Sequence, residues 1–183
     1  MGHEASVISL YLSSDHREYA ENLAQDTFEK YQNVQGHYRN LLSSHVIGRY
    51  GEMGAYLFFN HRQIECYPYF SNIEYDSLCD INTKLGRCEV KTWNPDFWQD
   101  WGRAVSVAQM PYLEKKADFI LWCTASEENS LINVRVHGWN TIEDMKVRPP
   151  LMTGPADKQV NNYQVQIEEM RSLDYLRRPQ EIQ

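Results

Sequence analysis

Two carboxylates and one ammonium group are spaced so that a pair of adjacent strands would bring them together. Glu89 and Lys91 lie two residues apart in the run 87–93, which has the composition of a β-strand. Side chains two apart on a strand point to the same face, so Glu89 and Lys91 are predicted to emerge side by side. If Asp80 belongs to a preceding strand joined through the turn at 82–86, it lies beside Glu89. The pattern therefore predicts a cluster of two carboxylates and a lysine.

Such a cluster suits a divalent cation. Two carboxylates at close range raise each other's free energy in a buried sheet unless a positive charge offsets them. Mg²⁺ prefers oxygen ligands and is usually held by one or two carboxylates, with water and substrate phosphate completing its shell. A metal in this place polarises a phosphate and activates a bound water, while Lys91 positions or deprotonates that water. The alternative, a solvent-facing Glu89–Lys91 ion pair, is disfavoured by the apolar neighbours Cys88, Val90 and Trp93.

The elements that must position these residues are predicted from the period of the apolar pattern. Periods of three and four indicate amphipathic helices, and the period of two after residue 62 indicates strands. In chain order the predicted elements are a helix from about Asp15 to Tyr31 capped by Ser13 or Ser14, a helix from Ser43 or Ser44 to Phe59, strands at 63–69, 77–81 and 87–93, a helix from about Phe97 to Lys116 interrupted or restarted at Pro111, and strands at 118–123 and 131–136. This order predicts an α/β fold with a central mixed β-sheet flanked by helices.

The motif formed by Asp80, a spacer and Glu89-x-Lys91 resembles the signature of the PD-(D/E)XK nuclease superfamily, which includes many restriction enzymes, Holliday-junction resolvases and phage exonucleases. Cys79 stands where that signature has proline. The resemblance implies the restriction-endonuclease-like αβββαβ core, over residues 44–137. A single domain of 183 residues is expected, with 1–43 as an N-terminal helical extension and 138–183 as a C-terminal decoration.

The resemblance also implies roles for particular residues. Asp80, Glu89 and the Val90 carbonyl are expected to bind Mg²⁺, or Mn²⁺ in its place, and Lys91 to activate or orient water. The implied activity is Mg²⁺-dependent hydrolysis of DNA phosphodiester bonds, with an endonuclease as the leading expectation. An exonuclease or a Holliday-junction resolvase would use the same site. A catalytically degenerate nucleic-acid-binding or interaction module is the alternative from another class.

Two further site residues are assigned chiefly from the resemblance. The first core helix of these proteins often carries a glutamate that faces the metals, and Glu52 occupies that place here. Its flanking glycines, Gly51 and Gly54, permit close approach of another chain segment. The second core helix often carries a glutamine or lysine near the site, and Gln109 is similar. The alternative for both residues is a solvated position on an amphipathic helix.

The basic residues nearest the motif, Arg49, Lys84 and Arg87, are candidates for phosphate contact. Arg103 is a fourth predicted nucleic-acid-binding residue, because it lies at helical spacing with Gln109 on one polar face.

A second stretch matches the residue types of the motif more closely, but its predicted conformation is unsuitable. Pro95-Asp96 is followed by Glu114-Lys115-Lys116, in a run that is predicted to end a helix. Residues two apart on a helix point about 200° away from each other, so Glu114 and Lys116 would not share a site.

Composition limits the class of protein. Hydrophobic residues make up 42% of the chain and charged residues 23%, as in globular proteins, and no apolar run is long enough to span a membrane. The four cysteines are scattered and fit reduced core thiols. The net charge of −7 argues against indiscriminate coating of nucleic acid, but it is compatible with an acidic metal site. We therefore expect a cytoplasmic protein that acts on DNA, and a homodimer is plausible for cutting two strands.

Overall fold

Six strands form one mixed sheet that carries helices on both faces. The computed structural model describes residues 7–32, 41–75 and 78–176. In chain order the elements are β1 (Ile8–Leu12), α1 (Ser14–Tyr31), α2 (Leu42–His61), β2 (Cys66–Pro68), β3 (Ile81–Thr83), β4 (Gly86–Trp93), α3 (Pro95–Trp98), β5 (Ala104–Ser106), α4 (Met110–Lys116), β6 (Phe119–Glu128), β7 (Leu131–Thr141), α5 (Ile142–Met145), β8 (Leu151–Thr153) and β9 (Val160–Gln164), with 3-10 turns at Tyr69–Ser71, Ile73–Tyr75, Ile167–Glu169 and Leu173–Tyr175.

The sheet order is β1-β7-β6-β4-β3-β2. Only the β4–β6 pair is parallel among these neighbours, and the other pairs are antiparallel. A second, three-stranded sheet is formed by β5, β9 and β8. The predicted α/β class with a central mixed sheet flanked by helices is therefore confirmed.

The core lies on both faces of β6, as expected for a strand buried on two sides. Leu121 and Cys123 pack into the cluster beneath α1 and α2, whereas Ile120 and Trp122 pack into the cluster beneath α4 and α5. This alternation follows from the period of two along a strand. The four cysteines are free, and three of them are buried.

The first two helices match their predictions to within about two residues. Ser13 caps α1, because its side chain accepts a hydrogen bond from the backbone N–H of His16. Close packing of α2 on the sheet depends on two of its glycines. A Cβ atom on Gly51 would overlap the side chain of Thr92 in β4, and one on Gly54 would overlap Val134 in β7.

The hairpin that carries the predicted motif is tighter than expected. The predicted strand at 77–81 is replaced by β3, which begins at Ile81, and Ser77 lies outside the described residues. The turn consists of Lys84 and Leu85 rather than all of 82–86. Gly86 has φ of 140°, a conformation that favours glycine. The predicted strand at 87–93 is confirmed as β4.

The predicted helix from about Phe97 to Lys116 is helical only at its two ends. Asn94 caps the short α3, which ends at Trp98, and Arg103 then takes a left-handed conformation with φ of 58°. The next segment becomes β5 because it pairs with β9, with Val105 opposite Tyr163. The predicted restart at Pro111 agrees with α4, which begins at Met110.

Among the described residues no helix is both long and apolar enough to cross a membrane.

Candidate active site

The β3–β4 hairpin places Asp80 against the middle of β4. Ile81 pairs with Cys88, so the register sets Asp80 opposite Glu89. The Oδ2 atom of Asp80 accepts a hydrogen bond of 2.7 Å from the backbone N–H of Val90. The predicted neighbourhood of Asp80 and Glu89 is therefore present.

Glu89 is a buried carboxylate that forms ion pairs with two lysines. Its side chain is 5% exposed, and its Oε1 atom lies 2.9 Å from Nζ of Lys91. Its Oε2 atom lies 2.7 Å from Nζ of Lys116, at the end of α4. Burial alone would raise the pKa of Glu89, but the two lysines together hold that pKa below its ordinary value. Glu89 is therefore kept as an ionised, acceptor-only group.

Glu52 reaches the same region from α2, where it is paired with Arg49. The Nη1 atom of Arg49 lies 2.7 Å from Oε2 of Glu52 and also donates to the carbonyl of Phe70. Its Nη2 atom donates to Oγ1 of Thr27 in α1. Burial raises the pKa of Glu52 despite Arg49, and the charge of Glu89 raises it further.

The pKa of Asp80 shows that the three carboxylates share one electrostatic environment. Burial raises this pKa well above its ordinary value, and the negative charges of Glu89 and Glu52 raise it further. Lys116 and Lys91 act in the opposite direction without cancelling the effect. Burial is thus the main reason that the charged form of Asp80 is unfavourable, and the two neighbouring carboxylates add to it.

A divalent cation fits the chemistry of this donor set. Carboxylate oxygens are the ligands that Mg²⁺ prefers, and a cation would stabilise the charged form of buried Asp80. Asp80 and Glu52 also line a small cavity of about 40 Å³, which has room for about one water molecule. Within the described residues, however, no three histidine, cysteine, aspartate or glutamate side chains form a ready-made metal-ligating group.

The predicted phosphate-contacting arginines are largely engaged by the protein itself. Arg103 is 2% exposed, and its guanidinium donates to the carbonyls of Trp98, Gln99 and Val165. It thereby satisfies carbonyls at the end of α3, and its burial does not favour the predicted contact with nucleic acid. Arg49 is likewise buried, at 8% exposure, where its guanidinium contacts Glu52, Phe70 and Thr27.

Arg87 and Lys84 are more accessible. Arg87 pairs with Asp118 at 2.8 Å and donates to the carbonyl of Lys115, but its side chain remains 43% exposed. Lys84 is exposed at the tip of the β3–β4 turn. These two positions are compatible with phosphate contact.

The structure brings Lys116 to the site rather than Gln109. Gln109 precedes α4 at its opposite end, roughly 10 Å along the helix axis from Lys116 at 1.5 Å per residue. Lys116 belongs to Glu114-Lys115-Lys116, the stretch that was rejected as the motif. Glu114 is indeed engaged elsewhere, because its carboxylate lies 3.0 Å from Nζ of Lys146. Sequence reasoning nevertheless missed Lys116.

One signal could have pointed to Lys116. The parallel register sets Cys88 opposite Phe119. The residues just before Phe119 therefore lie beside the start of β4, close to Glu89. Recognising this required knowing that β4 and β6 are neighbours.

Comparisons of the chain with models of protein families, with curated proteins and with solved structures return no match. The functional assignment therefore depends on the residues and the geometry described above.

Proposed function

We propose that the protein is a Mg²⁺-dependent deoxyribonuclease of the PD-(D/E)XK type, with a site built from Glu52, Asp80, Glu89 and Lys91. The observation that carries the proposal is the meeting of Asp80, Glu89 and Lys91 across the β3–β4 hairpin. Burial makes the charged form of Asp80 unfavourable in this arrangement, and a bound cation would offset that cost. Endonuclease activity is the leading form of the proposal.

The order of the elements supports the same assignment. The helix α2 is followed by three antiparallel strands, β2, β3 and β4, then, after the short α3 and β5, by α4 and by β6, which is parallel to β4. With α3 and β5 treated as insertions, this order supports the αβββαβ core that the resemblance implies. The remaining strands, β1 and β7, extend the sheet beyond β6.

The role of each residue in hydrolysis is inferred from its position in the site. Asp80, Glu89 and the Val90 carbonyl would hold the metal, with Glu52 in support. When bound, Mg²⁺ supplies Lewis acidity toward the phosphate and lowers the pKa of a coordinated water. Lys91 is 25% exposed beside Glu89, so its ammonium can reach a water or a phosphate oxygen. There it orients the water and offsets charge that develops on the phosphate.

Lys116 is a positioning residue in this scheme. It contacts Glu89 and favours the ionised form of that carboxylate. Arg49 has a similar relation to Glu52, although burial dominates there.

A test of the proposal uses supercoiled plasmid, linear duplex and a four-way junction, each incubated with Mg²⁺. We expect Lys91→Ala to reduce cleavage at least about 100-fold, the usual contribution of a positioned acid–base group, while the far-ultraviolet spectrum is unchanged. Lys158→Ala is the matched control, because Lys158 is half-exposed and pairs with neighbouring Asp157 at 3.7 Å. Full cleavage by Lys91→Ala would refute the assignment. The three substrates separate an endonuclease from an exonuclease and a resolvase.

A second candidate is a degenerate, nuclease-like binding module. It is favoured by the pairing of these carboxylates with protein cations, since Arg49 holds Glu52 and both lysines hold Glu89. Calorimetry with Mg²⁺ and Mn²⁺ separates the two candidates, because a degenerate site would bind neither ion.

A further inference from the structure

A second, larger cavity lies against the candidate active site. Its volume is about 540 Å³, within the range of small-molecule sites of roughly 300–1,000 Å³. Tyr69, Leu78 and Cys79 line both this cavity and the small one that contains Glu52 and Asp80. Lys116, which contacts Glu89, lines it as well. A molecule in this cavity would therefore lie next to the carboxylates.

The lining of this cavity combines aromatic, amide and basic groups. The cavity is lined by Tyr69, Leu78, Cys79, Asn82, Arg87, Tyr112, Lys115 and Lys116. All the charged residues in this described lining are basic, although the chain carries a net charge of −7. The lining is therefore suited to a ligand that carries both a negative charge and an aromatic ring.

Each group has a counterpart in a nucleotide. Tyr112 is 71% exposed and offers a ring face on which a base can stack. The Asn82 amide lies 3.4 Å from the hydroxyl of Tyr69, so two polar groups suited to a base edge share one wall. Lys115 is exposed at the cavity and can contact a phosphate.

Arg87 supports the wall of this cavity through contacts within the protein. Its guanidinium donates to both carboxylate oxygens of Asp118 and to the carbonyl of Lys115. This network ties the end of α4 to β4, so Lys115 and Lys116 are held on the cavity side of the site.

We propose that this cavity binds an unpaired nucleotide of the DNA strand that is cut, next to the scissile phosphate. The inference rests on the proposed nuclease function and specifies its substrate class. A base inside a duplex cannot enter a cavity unless it is unstacked and unpaired, which opposes binding. The preferred substrate is therefore DNA with a single-stranded segment, such as an overhang, a flap or an open junction, rather than an uninterrupted duplex.

The experiment measures fluorescence anisotropy of labelled oligonucleotides with the full chain in EDTA, so that the DNA stays intact. The probes are a single strand, a blunt duplex and a duplex with an overhang. We expect the single strand and the overhang to bind more tightly than the blunt duplex. Tyr112→Ala should weaken binding of the single strand roughly 10-fold, the usual effect of removing one stacking ring. Tyr175→Ala is the control, because Tyr175 is 62% exposed and does not line this cavity.

Three results would overturn the inference. The first is equal binding of the blunt duplex and the single strand. The second is a Tyr112→Ala protein that binds like Tyr175→Ala. The third is displacement of the single strand by free deoxyadenosine monophosphate at the same concentration as an unlabelled strand, which would identify the ligand as a free nucleotide.

The nuclease proposal can fail separately. If no DNA is cleaved with Mg²⁺ but Tyr112→Ala still weakens binding of the single strand, the cavity assignment stands and the catalytic one falls. If DNA is cleaved and Tyr112→Ala has no effect on strand binding or on the preference for overhangs, only the cavity assignment falls.

Discussion

At the scale of single residues, the site is a balance between buried carboxylates and the cations that surround them. Glu89 carries two lysines, Lys91 from its own strand and Lys116 from the end of α4. The first contact follows from the period of two along a strand and was predicted. The second depends on which strands are neighbours in the sheet, so no local pattern reveals it.

Lys116→Ala tests whether that second contact stabilises the protein. Removing Lys116 leaves one oxygen of buried Glu89 without its cation, and Lys91 remains on the other oxygen. We expect the free energy of unfolding to fall by about 1–3 kcal/mol, as for other buried polar groups that lose a partner. The neighbouring variant Lys115→Ala should stay within about 0.5 kcal/mol, because Lys115 is exposed. Equal stability of the two variants in urea titrations would contradict the role given to Lys116.

At the scale of elements, the apolar period of a segment predicts its secondary structure correctly where tertiary packing favours the same structure. The helices α1 and α2 follow from apolar periods that agree with their buried residues, and β4 is present where a strand was predicted. The segment 97–116 also has helical spacing, yet Ala104–Ser106 becomes a strand by pairing with β9. That partner lies nearly 60 residues away along the chain, with Val105 opposite Tyr163. Gln109 and Arg103 were misplaced for the same reason, since both were assigned to a helical face that does not exist.

The packing of α2 on the sheet gives an element-scale prediction. Gly51 adjoins Glu52, and a Cβ at Gly51 would overlap Thr92. We expect Gly51→Ala to lower the free energy of unfolding by about 1–3 kcal/mol, as overpacking does elsewhere. Gly48→Ala is the control on the same helix, because nothing lies within 4 Å of its added Cβ.

The control should raise stability by up to about 1 kcal/mol, since alanine is the better helix former. Adding Thr92→Ala to Gly51→Ala removes Oγ1 and Cγ2 of residue 92, two of the three nearest atoms, and should recover part of the loss. Denaturant titration of the three variants and the parent protein checks these signs. A Gly51→Ala protein as stable as Gly48→Ala would show that α2 does not need its close approach.

At the scale of the whole molecule, the N-terminal helix is joined to the site through α2. Arg49 contacts Thr27 of α1 on one side and Glu52 on the other. One residue further along α2, Tyr50 donates a short hydrogen bond to Glu21 of α1. The segment expected to be an extension therefore helps to hold Arg49, which the composition and period of α1 do not reveal.

The stability of the whole chain should respond to Mg²⁺ through Asp80. Because burial and two neighbouring carboxylates raise the pKa of Asp80, its charge destabilises the metal-free fold at neutral pH. Asp80→Asn removes that charge and retains an oxygen that can accept from the Val90 N–H. We expect this variant to have a higher melting temperature than the parent protein in EDTA.

Mg²⁺ should reverse that order. An ion that binds only the folded state adds about 2.7 kcal/mol at 100 times its Kd, which corresponds to a rise of several degrees for a chain of this size. The parent protein should show this rise and Asp80→Asn should not, because the variant has lost a ligand. Asp157→Asn is the control, since its side chain is 72% exposed, and it should behave like the parent protein. If Mg²⁺ leaves the melting temperature of the parent unchanged, the carboxylates are balanced by Arg49, Lys91 and Lys116 alone, and the binding module becomes the better assignment.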